Sequence, residues 1–189
     1  MIEANRLLAA AQEIQDFCTK RNFRFCFIGG IAVQHWGESR FMRGADLTVF
    51  TGIGDEPIHV DALLSRFSSR VADGREFALK HRVLLLRASN GVPLDISLGA
   101  LAFEEKAVAT ATMEEIAPGT ALRLCGPDAL IVFKAFAERP QDWLDIEGIA
   151  AKSSALIGWQ DIRADLMPLL ELKGDTDTLG RLERMLAAR

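Results

Sequence analysis

The stretch Phe27-Ile-Gly-Gly-Ile-Ala-Val-Gln-His-Trp-Gly-Glu-Ser-Arg-Phe-Met-Arg-Gly-Ala-Asp-Leu-Thr-Val-Phe50 decides the fold that this sequence predicts. An apolar run ends at the pair Gly29-Gly30, and a second apolar run begins around a single carboxylate, Asp46. Glycine lets a backbone approach a phosphate closely, and the start of a helix presents free N–H groups and a positive dipole end. The pair therefore predicts a strand-to-helix turn, which either cradles an anion or is only a tight turn.

A second carboxylate interrupts a β-hairpin that the sequence predicts between His81 and Leu98. The hairpin is centred on Asn90-Gly91, a pair typical of a type I′ turn between two apolar strands. Asp95 lies within its second strand, where a carboxylate pairs with a cation, binds a metal or faces solvent on an open side of the sheet. Because Mg²⁺ ions on a triphosphate are held by carboxylates of adjacent strands, Asp46 and Asp95 are predicted metal ligands.

The remaining pattern predicts an α+β fold with a small mixed sheet flanked by helices. An amphipathic helix is expected over residues 3–20, a strand over 23–28 and a helix over 58–69. Beyond residue 100 the spacing of apolar residues is mostly helical. Helices are predicted there at residues 129–138, 141–153, 159–172 and 176–188. These elements indicate an α/β core over residues 1–120 and a helical subdomain over residues 121–189, packed on that core.

Composition sets limits on the partners of this protein. Its 189 residues are 49% hydrophobic and 25% charged, which is ordinary for a globular domain with a sizeable core. Residues 1–100 carry 12 Lys/Arg against 11 Asp/Glu, whereas residues 101–189 carry 10 against 15, for a net charge of −4. The acidic second half argues against a large nonspecific nucleic-acid surface, although a local basic patch in the first half is compatible with it.

The same composition predicts a cytoplasmic protein with no membrane partner. No apolar run has the length of a membrane span, and the N-terminus lacks a secretory signal pattern. The cysteines Cys18, Cys26 and Cys125 are odd in number and lack C-x-x-C spacing, so they are expected to fill core space in a reducing compartment.

With these motifs the chain resembles the nucleotidyltransferase superfamily, whose members share the polymerase-β-like fold. Within it, the chain is most similar to the minimal nucleotidyltransferases and the abortive-infection (AbiEii-like) toxin nucleotidyltransferases. Gly29-Gly30 resembles the glycine pair of the family, and Asp95 resembles its last aspartate. The stretch Arg40-Phe-Met-Arg-Gly-Ala-Asp-Leu-Thr-Val49 is similar to a segment that in relatives often reads Arg-x-Thr-x-Asp-[Val/Ile]-Asp-Leu.

The resemblance implies transfer of a nucleoside monophosphate from an NTP to an acceptor, which is an RNA such as a tRNA end, a protein or a small molecule. Asp46 and Asp95 would be catalytic and would hold Mg²⁺ or Mn²⁺, and Gly29-Gly30 would cradle the nucleotide's phosphates. Arg40 and Arg43 would steer the triphosphate, although a solvated loop is equally consistent with them. Membership of the toxin branch implies a cognate antitoxin as partner.

A further similarity lies at Lys134-Ala-Phe-Ala-Glu-Arg-Pro-Gln-Asp-Trp-Leu-Asp-Ile146, which resembles a helical motif of the family. There the lysine is expected to contact the phosphates of the nucleotide, which makes Lys134 a predicted catalytic and nucleotide-binding residue. Arg139, Asp142 and Asp145 are weaker candidates. For Arg139 and Asp142 a solvated, salt-bridged helix face is the preferred interpretation.

The chain departs from the family pattern at Gly44, which stands where the first aspartate of the Asp-x-Asp pair is expected. Positions 44 and 46 of one strand face the same way, so the glycine would remove a metal ligand beside Asp46. Whether inherited or introduced, it supports a second interpretation: a catalytically degenerate member that serves as a nucleotide-binding or regulatory module.

Overall fold

The computed structural model describes the backbone of residues 2–187 and the side chains of residues 5–186. Its α-helices are α1 Ile2–Lys20, α2 Gly29–Trp36, α3 Glu56–Leu64, α4 Gly74–His81, α5 Ala102–Ala109, α6 Pro127–Ala137, α7 Pro140–Lys152, α8 Trp159–Lys173 and α9 Thr178–Ala187. Its strands are β1 Phe25–Ile28, β2 Ala45–Phe50, β3 Ser68–Ser69, β4 Val83–Arg87, β5 Pro93–Gly99, β6 Thr112–Ala117 and β7 Thr120–Leu124.

The strands form one mixed sheet in the order β3-β4-β5-β2-β1-β7-β6. The pairs β2–β5 and β1–β7 are parallel, and the other neighbours are antiparallel. Four helices, α6 to α9, follow the last strand. This arrangement confirms the predicted α+β class, with a mixed sheet, flanking helices and a helical C-terminal part.

The chain divides into two compact units. The first comprises Met1–Ile31 and Phe41–Cys125 and contains the whole sheet, and the second comprises Ala32–Arg40 and Gly126–Arg189. In the first unit the apolar residues of α1 recur at three- and four-residue steps and are buried against alternate residues of the central strands. All three cysteines are buried and unbonded, as the sequence predicted.

Several predicted boundaries differ from the structure. The helix expected over residues 58–69 ends at Leu64, and the short strand Ser68–Ser69 follows it. The hairpin β6–β7 was not predicted, because β6 is largely exposed and lacks the alternation of a half-buried strand. The hairpin β4–β5 was predicted, but its turn is not type I′, since only Gly91 within it has a positive φ, of 83°.

No helix within the described part of the chain has the length and apolarity needed to cross a membrane.

Candidate active site

Gly29 and Gly30 are the first two residues of α2 and follow β1 directly, so they form the strand-to-helix turn that the sequence predicted. Gly29 has a φ of +63°, a backbone conformation that glycine adopts without strain. A β-carbon on Gly29 would also overlap the carboxylate of Asp46, so no larger residue fits while that side chain keeps its position. The backbone N–H of Gly30 points at Asp46 Oδ2, at 3.4 Å. The turn and the carboxylate of Asp46 on β2 are therefore in direct contact.

Asp46 and Asp95 are direct neighbours across the parallel strands β2 and β5. Parallel partners in register project to the same face of a sheet, and adjacent strands lie about 4.8 Å apart. The two carboxylates therefore share one face, next to the turn at residues 29–30. The side chain of Asp95 is 45% exposed, so this face is open to solvent at the pair.

Arg70, which sequence reasoning missed, contacts the same pair. It follows β3, and its Nη2 donates to Asp95 Oδ1 in an ion pair. Its side chain is 22% exposed, and its Nε is buried without a hydrogen-bond partner among the described residues. A guanidinium thus stands at the carboxylate that was predicted to bind a metal. The sequence offers one signal for Arg70, since a carboxylate within an apolar strand requires a cation. That signal does not identify which of the 22 Lys/Arg residues is the partner.

Gly44 does not lie within β2, although the sequence prediction assumed that positions 44 and 46 belong to one strand. It lies in a bend before β2, which begins at Ala45. A β-carbon at residue 44 would lie 2.6 Å from the carbonyl oxygen of Pro93 and 3.0 Å from its Cβ. The site therefore has no room for any side chain at this position unless the backbone of residues 44 or 93 moves.

The donor set at Asp46 and Asp95 suits a single hard cation. Mg²⁺ takes oxygen ligands and is commonly held by one or two carboxylates together with substrate phosphates and waters. Two neighbouring aspartates meet that requirement for one ion. Within residues 5–186 there is no group of three or more His, Cys, Asp or Glu side chains that could hold a metal, so a second ion has no carboxylate of its own.

The second unit contains a different acidic cluster, built around Lys134 of α6. Its ammonium donates to Asp142 Oδ1 at 2.8 Å and to Asp145 Oδ2 at 2.7 Å, both on α7. All three side chains are at most 5% exposed. The lysine predicted to contact phosphates therefore has two buried carboxylates as partners.

Two arginines complete this cluster. Arg40 donates two hydrogen bonds to Asp145, at 3.0 and 3.2 Å, and Arg139 donates to Asp142 from Nε at 2.7 Å. Asp142 is buried, so the preferred interpretation of a solvated helix face was wrong for it; the Arg139 side chain, 71% exposed, is consistent with that interpretation. Burial alone would raise the pKa of Asp142, but hydrogen bonds from Arg139 and Lys134 outweigh it and hold that pKa below its ordinary range.

The predicted residues thus fall into two groups. Gly29, Gly30, Asp46 and Asp95 meet in the first unit, where Arg43 lies exposed on the loop before β2. Arg40, Lys134, Arg139, Asp142 and Asp145 meet in the second unit. In that unit Arg40 and Asp145 also line a polar cavity of about 310 Å³, together with Glu38, Gln141 and Glu147.

Comparisons with known proteins agree with this architecture. A solution structure of the antibiotic-resistance factor ANT(2'')-Ia is 16% identical with a TM-score of 0.56, over 90% of this chain and 94% of that one. The crystal structure of ANT(2'')-Ia in complex with adenylyl-2''-tobramycin is 17% identical with a TM-score of 0.53, over 88% and 98%. An antigenic nucleotidyltransferase-like protein from Paracoccidioides brasiliensis is 16% identical with a TM-score of 0.54, over 98% and 92%.

No protein-family model matches the sequence, and no curated protein matches it. At 16–17% identity the structural likeness concerns the fold. The chain thus has the fold of nucleotidyltransferases.

Proposed function

We propose that this protein transfers a nucleoside monophosphate from an NTP to an acceptor hydroxyl. The observation that carries the proposal is the pairing of Asp46 with Asp95 across adjacent parallel strands, beside the turn at Gly29-Gly30. The two carboxylates supply oxygen ligands of the kind that Mg²⁺ prefers, and the phosphates of the substrate would supply others. The solved structures of similar fold, two of them of ANT(2'')-Ia, support the same general activity.

In the proposed reaction the oxygen of the acceptor hydroxyl attacks the α-phosphorus and its proton leaves to solvent. The bond from the α-phosphorus to the bridging oxygen of the β-phosphate breaks, and pyrophosphate leaves. Asp46 and Asp95 would hold Mg²⁺ or Mn²⁺, which would supply charge neutralisation for the triphosphate. The turn at residues 29–30 positions one of these carboxylates, since the N–H of Gly30 donates to Asp46 Oδ2 at 3.4 Å and the lack of a side chain on Gly29 leaves room for that carboxylate. Arg43, exposed on the neighbouring loop, adds positive charge for an incoming triphosphate.

Several finer assignments stay predictions. Lys134 and Arg40 were predicted to contact the nucleotide, but in the structure both pair with Asp145. An RNA acceptor, a toxin role with a cognate antitoxin and a cytoplasmic location are likewise expectations from the sequence.

A catalytically degenerate nucleotide-binding module is the second candidate function. It rests on two observations. No group of three or more metal-ligating side chains occurs within residues 5–186, and Gly44 has no space for a third carboxylate beside Asp46 and Asp95. The structural comparisons do not favour it over the enzyme.

The test is transfer of label from [α-³²P]NTPs to total RNA, protein or small-molecule acceptors in the presence of Mg²⁺ or Mn²⁺. We expect Asp46→Asn and Asp95→Asn each to lower the rate by about 100-fold or more, because each removes a ligand of the ion. Asp61→Asn is the matched control, since Asp61 forms an exposed surface pair with Arg75. Equal rates for the wild type and Asp46→Asn would refute the enzyme, and nucleotide binding without any transfer would favour the degenerate module.

A further inference from the structure

One pocket of the first unit is lined by positive charge without negative charge. It has a volume of about 240 Å³ and lies at the tip of the β4–β5 hairpin. Its lining consists of Arg6, Leu7, Phe41, Met42, Arg43 and residues 91–93. We call it the hairpin-tip pocket. In a chain with a net charge of −4, this is a local basic patch of the kind that the sequence allowed in its first half.

The lining of the pocket includes an aromatic ring that is exposed to solvent. Phe41 is 68% exposed on the loop before β2. A ring in that position offers a face for stacking, and the half-buried Val92 and Pro93 supply apolar surface below it. An exposed aromatic ring between cationic side chains is the combination that binds successive bases of a single strand.

Two arginines line the same pocket as this ring. Arg6 and Arg43 are both exposed. Arg6 Nη2 donates to the carbonyl oxygen of Asn90 at 2.7 Å, which fixes it at the hairpin tip. The carboxylate of Glu13 also reaches this turn at Ser89, but Glu13 is paired with Arg66. The pocket therefore keeps an excess of positive charge.

Two residues of the pocket lining also pack beside the carboxylate site. A β-carbon on Gly30 would lie 2.8 Å from Met42 Cγ, so Met42 packs against the glycine turn that contacts Asp46. Pro93 packs against Gly44, and it precedes Asp95 by two residues on β5. The hairpin-tip pocket and the Asp46–Asp95 pair are therefore neighbours in the first unit.

We propose that the hairpin-tip pocket binds single-stranded nucleic acid, with one base stacked on Phe41 and the adjoining phosphate on Arg43. Its size suits one nucleotide unit and not a whole folded RNA. The role of that strand as the acceptor rests on the proposed function, whereas the binding itself does not. The two are therefore tested apart.

The experiment measures fluorescence anisotropy of a labelled single-stranded oligonucleotide of about twelve residues, with EDTA present so that no metal-dependent step contributes. We expect Phe41→Ala to weaken binding about fivefold or more, because stacking of a base on an aromatic ring is lost. Arg43→Gln should weaken binding and reduce the slope of log K against log salt by about 0.7, the contribution of one phosphate contact on a single strand.

Two exposed residues of the second unit provide matched controls. Leu172→Ala removes an apolar side chain that is 78% exposed, and Arg163→Gln removes an arginine from a surface pair. Both should bind like the wild type, and circular dichroism should show all four variants folded. The proposal is overturned if the wild type fails to bind, if Phe41→Ala and Arg43→Gln bind as tightly as the controls, or if a duplex competes as well as the single strand.

Competition with ATP distinguishes a mononucleotide site from a strand-binding site. Unlabelled ATP and unlabelled oligonucleotide are each used to displace the labelled oligonucleotide. If ATP displaces it at a concentration no higher than the unlabelled oligonucleotide requires, and this displacement depends on Phe41, the pocket is a mononucleotide site and the strand proposal fails. Strand binding in EDTA without any transfer activity would leave this proposal standing while refuting the proposed reaction.

Discussion

Two aspartate pairs in this molecule have opposite environments. Asp46 and Asp95 are neighbours on one face of a sheet, where Asp95 is 45% exposed and forms an ion pair with Arg70. Asp142 and Asp145 lie on one helix, at most 2% exposed, and are shared among Lys134, Arg40 and Arg139. The same side chain thus occurs in a half-open site and in a closed one.

The difference in exposure shows what each pair is suited for. Two buried carboxylates with three cations leave the second-unit cluster with no need of another positive charge, and burial makes its members hard to exchange. On the sheet, the side chain of Asp95 is 45% exposed, so a cation from solvent can reach the pair at that residue. We therefore expect the sheet pair to take up a cation with its substrate and the helix pair to stabilise the second unit.

The largest effect is expected from Lys134→Met. Removing the ammonium leaves two buried carboxylates that keep only their arginine partners, so the free energy of unfolding should fall by about 3 kcal/mol. Urea denaturation followed by circular dichroism measures this change. Lys173→Met is the matched control, because the ammonium of Lys173 is in a surface pair with Glu138, and the loss of a surface pair should lower the free energy of unfolding far less.

If both lysine variants lowered the free energy of unfolding by the same small amount, the cluster around Lys134 would not be a stabilising element. A Lys134→Met protein of normal stability that binds ATP more weakly would support the predicted phosphate-binding role of Lys134 instead.

A smaller loss of stability is expected from Gly44→Asp, which introduces the aspartate that the sequence comparison expected at this position. A β-carbon at residue 44 meets the Pro93 carbonyl at 2.6 Å, so the substitution should destabilise the first unit by about 1–3 kcal/mol. Gly44→Ala separates the steric cost from the added charge and should lose nearly as much. Thermal unfolding of both variants measures this, and a Gly44→Asp protein of normal stability with tighter Mn²⁺ binding would contradict it.

The site could be predicted from sequence where the signal is local. Gly29-Gly30 marks a turn by itself, and Asp95 stands out because it interrupts an apolar strand in a hairpin that Asn90-Gly91 marks. Strand β6 could not be found in this way, since Met113 is 51% exposed and the strand has no buried face to leave a pattern. Arg70 lies 25 residues from Asp95, and only the sheet brings the two together.

Tertiary contacts also limited the prediction of the cluster around Lys134 in the second unit. The sequence placed a lysine, an arginine and two aspartates on neighbouring helices, but it did not distinguish a phosphate site from a closed ionic cluster. That distinction depends on burial, and the burial of Asp142 follows from the packing of α7 against α6, a tertiary contact.

Arg70→Gln tests the sheet pair directly. The guanidinium of Arg70 competes with any ion for Asp95, so its removal should tighten Mn²⁺ binding by about threefold to tenfold. Without the ion, the variant should unfold at a slightly lower temperature, because the two carboxylates then repel one another. Isothermal titration with Mn²⁺ and thermal unfolding with and without Mg²⁺ measure the two effects.

Arg75→Gln is the control for this variant, since Arg75 pairs with the exposed Asp61. Unchanged or weaker Mn²⁺ binding in Arg70→Gln would show that Arg70 orients Asp95 for the ion and does not compete with it. The view of Arg70 as a competitor of the ion at Asp95 would then be wrong.

The smallest effect concerns pH and the closed pair. The pKa of Asp142 is lowered in the folded protein, so its ionised form stabilises the fold at pH values above the ordinary pKa of 3.8, and this contribution is lost as the pH falls through the lower folded-state value. Asp142→Asn cannot titrate, so its free energy of unfolding should depend less on pH between about 5 and 3 than that of the wild type. Urea titrations across this range measure both slopes. Identical slopes would mean that the cations around Asp142 do not favour its charged form, and the closed cluster would then owe its stability to packing and neutral hydrogen bonds.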